Sequence, residues 1–287
     1  MIKKLTIFGV GLIGGSLALA LRKAGYVGEV VGCSRSAEHL QRAVDLAVID
    51  SYTLDPAEAV KGADMIFLAV PMRAIQPVLE SIAPHIEQNA IITDAGSAKG
   101  SVLRAAQAAF GGKLPANFVA GHPVAGREKS SVEAAIDDLY VDHKVVLTPT
   151  PETSPEAIDA VKTMWQKAGA RVELLDVKQH DDVLAATSHL PHILAYSLVN
   201  TLSKSEYGDA VFDFAAGGFK SFSRIASSDP VMWRDICLEN KEAILAALND
   251  YQQDLADLSA MIEDNNSDGL TEIFSHAKAT RDRNIEN

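Results

Sequence analysis

The sequence predicts an α/β protein in which a doubly wound sheet is followed by an all-α domain. A glycine-rich loop near the N-terminus comes directly after a short apolar run. Apolar runs and helical patterns then alternate up to about Asp176, as in successive βαβ units. Beyond Asp176 the strand pattern disappears. We therefore expect a Rossmann-type dinucleotide-binding domain over residues 1–176 and a helical domain over residues 177–287.

The first strand and the first helix flank a loop that is typical of dinucleotide-binding proteins. Leu5–Phe8 is a short apolar strand, and a strong helical pattern runs over 16–23. The loop between them reads G-x-G-x-x-G and consists of Gly9, Val10, Gly11, Leu12, Ile13 and Gly14. Glycines at this spacing permit the turn, the approach of a pyrophosphate and the packing of helix on strand. We expect this loop, with Leu12 and Ile13, to bind the cofactor, although a glycine-rich turn of another α/β protein stays open.

The end of the second strand, 29–32, indicates which dinucleotide is bound. An Asp or Glu at that point would bind the ribose 2′-hydroxyl of NAD. Here Cys33 is followed by Ser34, Arg35 and Ser36, without a carboxylate. These three side chains suit a 2′-phosphate, so we expect NADP. NAD stays open, because Arg35 would also fit stacked on the adenine or turned to solvent.

Further apolar runs extend the predicted sheet. The run over 64–71 is continuous, as expected of a parallel strand buried on both faces, and its last residues, Val70 and Pro71, are expected beside the cofactor. Three more runs cover 90–94, 118–120 and 144–147. A helix over 156–167 and a strand over 171–175 predict one more unit of the same sheet.

A histidine occupies an unusual place after the run that ends at Ala120. The stretch GHPVAGRE puts His122 before Pro123, which restricts the backbone of the histidine. We expect His122 at the carboxyl end of a parallel strand, facing the cofactor crevice. An imidazole that is neutral near pH 7 is suited to accept a proton there.

The second half predicts helices that carry unusual polar residues. A capping box at Asp176 and Gln179 begins a helix that reaches about Ser203 and is kinked by Pro191. His189 and His192 lie three residues apart on it, either as structural histidines or, less favoured, as metal ligands. No acidic or cysteine partner stands at ligand spacing, so we expect no metal.

The stretch 217–236 combines two cations with an aromatic side chain. Lys220 and Arg224 are four residues apart, which predicts either an anion between them or a solvated basic face. An N-cap at Asp229 followed by Pro230 begins a helix expected to reach about Met261. Trp233, in its first turn, fits either the core or a pocket.

Composition limits the partners of this protein. The chain of 287 residues is 47% hydrophobic, and its net charge of −12 argues against nucleic acid or an anionic membrane as a partner. Two cysteines without a metal pattern fit a reducing compartment. The apolar N-terminal stretch resembles an export signal, but its regularly spaced glycines favour a nucleotide loop, so we expect a cytoplasmic protein. Amphipathic segments over 255–262 and 270–278 predict a homodimer.

Five motifs, in this order, resemble the prephenate/arogenate (cyclohexadienyl) dehydrogenases of tyrosine biosynthesis. They are FGVGLIGGS, DAGSAKG, GHPVAGRE, HDDVLAATSHLPH and GGFKSFSRIASSDPVMWRDI. The resemblance covers nearly the whole chain. It implies a Rossmann domain, a helical dimerisation domain and a site between them. It also implies oxidative decarboxylation of prephenate to 4-hydroxyphenylpyruvate, or of arogenate to tyrosine.

The same resemblance assigns expected roles to individual residues. His122 matches the catalytic base, which accepts the proton of the C4 hydroxyl during hydride transfer, and Ser97 matches a serine beside the nicotinamide. Arg224 and Lys220 match the cations that bind a substrate carboxylate. The remaining substrate-binding matches are His192, Trp233 and Glu128. Arg127 departs from the small or hydroxyl residue that many members carry at its position.

Two other classes of function stay open. A β-hydroxyacid dehydrogenase or imine reductase of similar fold would use a lysine of the second domain, for which Lys178 and Lys204 are available. A dinucleotide-sensing dimer would bind the cofactor without turnover and would leave His122 without a purpose. The residue patterns do not decide between prephenate and arogenate as substrate.

Overall fold

The computed structural model describes residues 1–127 and 131–285. Its strands are β1 (Ile2–Phe8), β2 (Val27–Cys33), β3 (Ser51–Thr53), β4 (Met65–Leu68), β5 (Ile91–Asp94), β6 (Phe118–Val119), β7 (Gly121–Pro123), β8 (Lys144–Leu147) and β9 (Arg171–Leu174). The helices of the first half are α1 (Leu12–Lys23), α2 (Ala37–Asp45), α3 (Pro56–Val60), α4 (Ile75–Ile82), α5 (Lys99–Ala109) and α6 (Pro155–Lys167). Those of the second half are α7 (Val177–Leu184), α8 (Leu190–Ser203), α9 (Gly217–Ser223), α10 (Pro230–Glu239), α11 (Lys241–Glu263) and α12 (Ser267–Asn284).

The main sheet is parallel and has six strands in the order β3-β2-β1-β4-β5-β6. The strands that follow β1 in the chain are added first on one side of it, up to β3, and then on the other side, from β4 onward. Ligands of such sheets bind in the crevice at this switch point between β1 and β4. Side chains of β4 alternate between two hydrophobic clusters. Met65 and Phe67 lie in one with α1 and α6, while Ile66 and Leu68 lie in the other with α4 and α5. The predicted doubly wound α/β fold is confirmed.

The glycine loop fits closely against the end of β4. Gly9 has φ of +88°, and a Cβ built on it would lie 2.3 Å from the carbonyl oxygen of Ala69. A Cβ on Gly14 would lie 2.3 Å from the carbonyl oxygen of Gly9. Both distances are shorter than any side chain tolerates, so the turn from β1 into α1 requires glycine at these two positions.

The prediction that the strands near 144–147 and 171–175 continue the main sheet is wrong. They form a second sheet of order β7-β8-β9, in which β7 is antiparallel to β8 and β8 is parallel to β9. The chain leaves the main sheet after the short strand β6. A hydrogen bond of 2.9 Å from Thr148 N to the carbonyl of Ala120 connects the two sheets at that turn. A buried apolar run has the same residue pattern in either sheet, so only the hydrogen-bonding partners distinguish them.

This second sheet also corrects the expected position of His122. The histidine does not end a parallel strand but occupies the middle of the antiparallel strand β7, where it pairs with Val146. Strand β7 begins only two residues after β6 ends, so His122 still lies at the carboxyl edge of the main sheet. Pairing on β8 holds the backbone of His122 more firmly than a loop would.

The helical half departs from its prediction at two points. The helix predicted to be kinked by Pro191 has a π-helical segment over Ala185–His189, which ends two residues before the proline, and Pro191 lies in the first turn of α8. The helix that begins at Pro230 does not continue to Met261 but ends at Glu239, and α11 begins at Lys241. Asn240 separates the two helices because its buried side chain bonds the carbonyl of Asp181, at 2.9 Å, and not its own helix.

Helix α10 connects the helical half to the core of the first half. Trp233 and Ile236 belong to the same hydrophobic cluster as Met72, Ala98 and Val102. By contrast, α11 has one buried residue and α12 has none among those the structure describes. No helix within the described ranges is long and apolar enough to cross a membrane.

Candidate active site

His122 is buried where the two halves of the chain meet. Its side chain is 8% exposed. The preceding residue, Gly121, donates its N–H to Asp94 Oδ1 at 3.0 Å, which connects β7 to the end of β5. Because a Cβ on Gly121 would lie 3.1 Å from the carbonyl oxygen of Asp94, a larger residue there would push β7 away from β5.

A buried ion pair holds the elements on either side of Ser97. Lys99 and Asp94 are both 0% exposed, and Lys99 Nζ lies 2.5 Å from Asp94 Oδ2. The same carboxylate oxygen accepts the N–H of Gly96 at 2.7 Å, and Lys99 also donates to the carbonyl of Gly121. Burial lowers the pKa of Lys99, while the charge of Asp94 acts in the opposite direction. The ion pair thus fixes the position of the loop that carries Ser97 relative to the strand that carries His122.

The ring of His122 contacts a second histidine from the helical half. His122 Nδ1 lies 2.8 Å from His180 Nε2, and His180 Nδ1 lies 2.8 Å from Asp181 Oδ1. The carboxylate of Asp181 also accepts the backbone N–H groups of Lys99, at 2.8 Å, and Gly100, at 2.9 Å. It therefore caps the N-terminus of α5 from across the boundary between the two halves.

The charge states in this group follow from burial and hydrogen bonds. Burial, then the neighbouring His180, Lys99 and His189, hold the pKa of His122 well below 6.5. Burial also lowers the pKa of His180. Burial would raise the pKa of Asp181, but its hydrogen bonds from His180, Gly100 and Lys99 outweigh this and lower it. Near pH 7 both imidazoles are neutral and the carboxylate is ionised.

A second group of side chains surrounds Trp233. His192 stacks on the indole with ring centroids 3.7 Å apart, and His189 meets it edge-on at 6.0 Å. His192 Nδ1 donates to the carbonyl of Ser188 at 2.9 Å. The buried atoms His189 Nε2 and Trp233 Nε1 have no hydrogen-bond partner among the described residues. Buried donors of this kind fit a site that a polar ligand completes.

The two predicted cations lie in the segment that precedes α10. Lys220 lies in α9, and Arg224 begins the 3₁₀ turn Arg224–Ser227 that follows. Both are exposed. Burial lowers the pKa of His192, and the positive charge of Arg224 lowers it further, so the guanidinium lies near the stack. His189 interacts electrostatically with both His122 and His192, and it thereby connects the two groups.

The predicted cofactor residues lie along one edge of the main sheet. The N-terminus of α1, at Leu12, has no side-chain cap, so its first N–H groups are not engaged by a capping side chain. Val70 approaches Gly9 at the end of β4, within 3.2 Å of a Cβ built there. After β2, Ser36 caps α2 by accepting the N–H of His39 at 3.2 Å, while Arg35 is exposed.

Some of the structural partners were not singled out by the sequence prediction. His39 Nε2 donates to the carbonyl of Val10 at 2.8 Å and so connects α2 to the glycine loop. Asp94, Lys99, His180 and Asp181 lie within the quoted motifs DAGSAKG and HDDVLAATSHLPH, but nothing in the local pattern separates them from surface charges.

Other predicted residues have no clear place in this arrangement. Glu128 lies outside the described residues. Lys178 points to the surface and pairs with Asp182, and Lys204 is exposed, so neither lies in a buried site. No group of three metal-ligating side chains occurs in the ranges 1–127 and 131–285.

Comparison with known proteins identifies a family. Residues 17–174 match the model of the prephenate dehydrogenase nucleotide-binding domain, and residues 176–276 match that of the prephenate dehydrogenase dimerization domain. A cyclohexadienyl dehydrogenase of Zymomonas mobilis is 37% identical over 284 residues, which are 97% of this chain and 95% of that protein. A prephenate dehydrogenase of Bacillus subtilis is 37% identical over 276 residues, 96% of this chain and 74% of that one.

Solved structures lead to the same family. Prephenate dehydrogenase of Aquifex aeolicus, solved with hydroxyphenyl propionate and NAD⁺, has a TM-score of 0.92 at 37% identity and covers 99% of this chain and 98% of its own. Synechocystis arogenate dehydrogenase has a TM-score of 0.82 at 30% identity, over 98% of this chain and 100% of its own. A 3-hydroxyisobutyrate dehydrogenase of Mycobacterium tuberculosis, at 10% identity and a TM-score of 0.53, shares the fold alone. The resemblance found in the five motifs is confirmed, and the chain belongs to the prephenate dehydrogenase family of oxidoreductases.

Proposed function

We propose that this protein catalyses the NAD(P)-dependent oxidative decarboxylation of prephenate, of arogenate or of both, with His122 as the general base. The observation that carries the proposal is a buried, neutral imidazole held at the edge of a dinucleotide-type sheet. The substrate has a hydroxyl at C4 of a cyclohexadiene ring and a carboxylate at C1. Its oxidation requires a proton acceptor for that hydroxyl, and His122 supplies one.

The first half of the chain fits a nicotinamide dinucleotide. Its glycine loop has no space for a side chain at Gly9 or Gly14, and the first N–H groups of α1 are not capped by a side chain. Such N–H groups bind phosphate well. When bound, the cofactor accepts the hydride that leaves C4. Gly9, Gly11, Leu12, Ile13 and Gly14 would hold its pyrophosphate, with Val70 and Pro71 beside them.

The chain's own residues have three tasks in this reaction. His122 takes the proton of the C4 hydroxyl as the hydride leaves C4. Ser97, in the loop after β5, is placed by the bonds from Gly96 N to Asp94 and from Ser97 N to Met72 Sδ, the latter 3.2 Å long. We propose that its hydroxyl bonds to the substrate hydroxyl or to the imidazole. Burial of His122 keeps bulk water from its ring, and loss of carbon dioxide then makes the substrate ring aromatic.

The substrate side chain and its carboxylates need a cationic, partly apolar site. We propose that Arg224, with Lys220 one turn before it, binds a carboxylate, and that His192 and Trp233 form one wall of the pocket. A guanidinium suits this task because its planar fork bonds both carboxylate oxygens. Glu128, which lies outside the described residues, is proposed as an acidic residue near the pocket entrance.

Replacing Arg224 with alanine is expected to raise KM for the substrate about 10- to 100-fold, the range for losing a hydrogen bond to a charged group. We expect kcat to change much less, because the contact exists in both the ground state and the transition state. Steady-state kinetics measure both constants. Lys278→Ala, which removes an exposed cation of α12, is the control. A fall in kcat with an unchanged KM would contradict the role assigned to Arg224.

We infer a preference for NADP from the loop after β2. Arg35 is exposed there between two serines, no carboxylate lies in 33–36, and Ser36 can donate its hydroxyl proton while it caps α2. These groups would bind a 2′-phosphate, whereas the NAD-type ribose contact is absent from this loop.

A matrix of kcat/KM values with two substrates and two cofactors tests both the activity and this preference. We expect turnover with prephenate or arogenate, and a higher kcat/KM with NADP than with NAD. Arg35→Ser is expected to lower the NADP-to-NAD ratio by about tenfold or more, as loss of a charged hydrogen bond implies. Turnover of neither substrate would refute the proposed function, whereas a wild-type preference for NAD would refute only the cofactor assignment.

We propose that residues 177–287 form the substrate and dimerisation domain of a homodimer. Leu255 and Ile262 on α11 and Phe274 on α12 are 46%, 64% and 58% exposed in the single chain. Apolar side chains at such density favour burial against a second copy. The match to the family's dimerization domain over 176–276 supports this. A light-scattering mass equal to one chain would contradict it.

A further inference from the structure

We propose that His180 and Asp181 act as positioning residues which fix the tautomer of His122, so that Nδ1 of His122 carries the proton and Nε2 is the bare acceptor. This inference rests on the proposed role of His122 as the base. It extends that role, because it names the reacting nitrogen and the side chains that select it.

The surroundings of Asp181 stabilise its carboxylate in the ionised form. Its two oxygens accept the N–H groups of Lys99, at 2.8 Å, and Gly100, at 2.9 Å, at the N-terminus of α5. Two backbone donors and the positive end of an eleven-residue helix both stabilise a carboxylate. An ionised carboxylate only accepts hydrogen bonds. The nitrogen that faces it, His180 Nδ1 at 2.8 Å, must therefore carry a proton.

The proton on Nδ1 of His180 in turn determines which nitrogen of His122 is protonated. His180 is fully buried, and the Lys99 ammonium lies nearby, so His180 remains neutral and holds one proton. With that proton on Nδ1, its Nε2 is an acceptor. His122 Nδ1, 2.8 Å away, must then be the donor. The opposite tautomer of His122 would place two lone pairs against each other at this distance.

The remaining charged groups around His122 do not change this assignment. Lys99 on α5 is bonded to Asp94 and to the carbonyl of Gly121. His189, in the π-helical segment, accepts a hydrogen bond at its Nδ1 from Asn240, whose amide nitrogen also bonds the carbonyl of Asp181. Within the described residues, His180 is thus the side-chain partner of His122 Nδ1.

The arrangement has a consequence for proton transfer. When Nε2 of His122 accepts the substrate proton, the ring becomes an imidazolium that still donates from Nδ1 to His180. The carboxylate of Asp181, one ring further on, stabilises this positive charge. His122 belongs to the first half of the chain, while His180 and Asp181 belong to α7 of the second. The helical half therefore orients a base that the dinucleotide half carries.

The tautomer can be measured directly on the wild-type protein. Two-bond ¹H–¹⁵N correlation spectra of protein labelled with ¹⁵N-histidine distinguish a protonated ring nitrogen from a bare one, and absence of the signal in His122→Asn assigns it. We expect His122 of the cofactor-free enzyme at pH above 6.5 to show a protonated Nδ1 and a bare Nε2. A protonated Nε2 with a bare Nδ1 would overturn the inference.

Two substitutions of His180 provide a second test. In His180→Gln the amide oxygen replaces Nε2 as an acceptor. We therefore expect kcat to stay within about threefold of wild type, a smaller change than the loss of one hydrogen bond would cause. In His180→Leu the acceptor is lost, and kcat is expected to fall about 10- to 100-fold, the cost of an unsatisfied buried donor, with KM little changed. Equal losses of kcat in the two variants, or a change confined to KM, would overturn the inference.

The exposed His85 provides the matched control, since His85→Leu lies far from these contacts in the 3₁₀ turn Ala83–His85. The outcomes also separate the two proposals. Near-normal turnover by His122→Asn would refute the base itself, whatever the tautomer. An inactive His122→Asn together with a protonated Nε2 in the wild type would refute only the role of His180 and Asp181.

Discussion

Replacing His122 with asparagine is expected to lower kcat by about 10²- to 10⁴-fold, the usual contribution of a general base. The substitution is gentle on the fold. The asparagine amide nitrogen overlies Nδ1 and can donate to His180 Nε2, so the contact of 2.8 Å between the two halves has a replacement. What disappears is the second ring nitrogen, which has no counterpart in asparagine.

Two measurements separate loss of the base from loss of the site. Single-turnover rates at saturating substrate report the chemical step, and fluorescence titration with NADPH and NADH reports cofactor binding, which we expect to be unchanged. His85→Asn, at an exposed histidine, is the control. A variant that retains a rate within a few-fold of wild type would show that another group accepts the proton.

The low pKa of His122 predicts the shape of the pH profile as well. The neutral imidazole is the reactive form, and it predominates above its pKa. Since burial, His180, Lys99 and His189 hold that pKa well below 6.5, kcat/KM should not fall as the pH decreases through 6.5. The profile of kcat/KM reports groups of the free enzyme, which is the state to which this pKa belongs.

Replacing Lys99 with methionine is expected to lower the free energy of unfolding by about 3–5 kcal/mol, the range for removing one member of a buried ion pair. Methionine has nearly the length of lysine, so little packing is lost. The carboxylate of Asp94 would keep the N–H groups of Gly96 and Gly121 but would lose its cation in a fully buried place. A loss of this size is a large share of the stability of an ordinary domain.

Urea unfolding at one fixed protein concentration measures this effect, because the stability of a dimer depends on concentration. Lys61→Met, in the exposed pair of Lys61 with Glu58, is the control and should hardly change the midpoint. Asp94→Asn/Lys99→Met should lose less than the sum of the two single variants, since it leaves no unpaired charge. If Lys99→Met unfolds at the midpoint of the control, the pair is not what holds β5 and β7 together.

The local pattern of the sequence was sufficient for three features of the fold. The glycine loop, the alternation of apolar runs with helices, and the caps at Asp176 and Asp229 all depend on residues close in the chain. The structure shows Asp176 accepting the N–H of Gln179 at 2.8 Å and Asp229 that of Met232 at 2.7 Å. Such contacts join residues within one helical turn, so they can be predicted directly from the sequence.

The motifs also led to the family and to the residues proposed for its chemistry, including His122 and Arg224. They did not indicate what surrounds those residues. His122 and His180 are 58 positions apart, and Lys99 and Asp181 are 82 apart. A hydrogen bond of this kind leaves no periodicity in the chain, because each partner satisfies its own local pattern and the contact arises only when the two halves pack.

The sequence by itself determined the fold class, the dinucleotide-type loop and the order of the two halves, since these follow from local conformation and from which faces are apolar. Only the tertiary structure decided that β7, β8 and β9 form a sheet of their own, that Asn240 interrupts the long helix, and that Asp181 and His180 lie behind His122. The physical reason is the same in each case. Burial can be predicted from hydrophobicity, whereas the choice of hydrogen-bonding partner depends on the positions of atoms that the chain brings together from far apart.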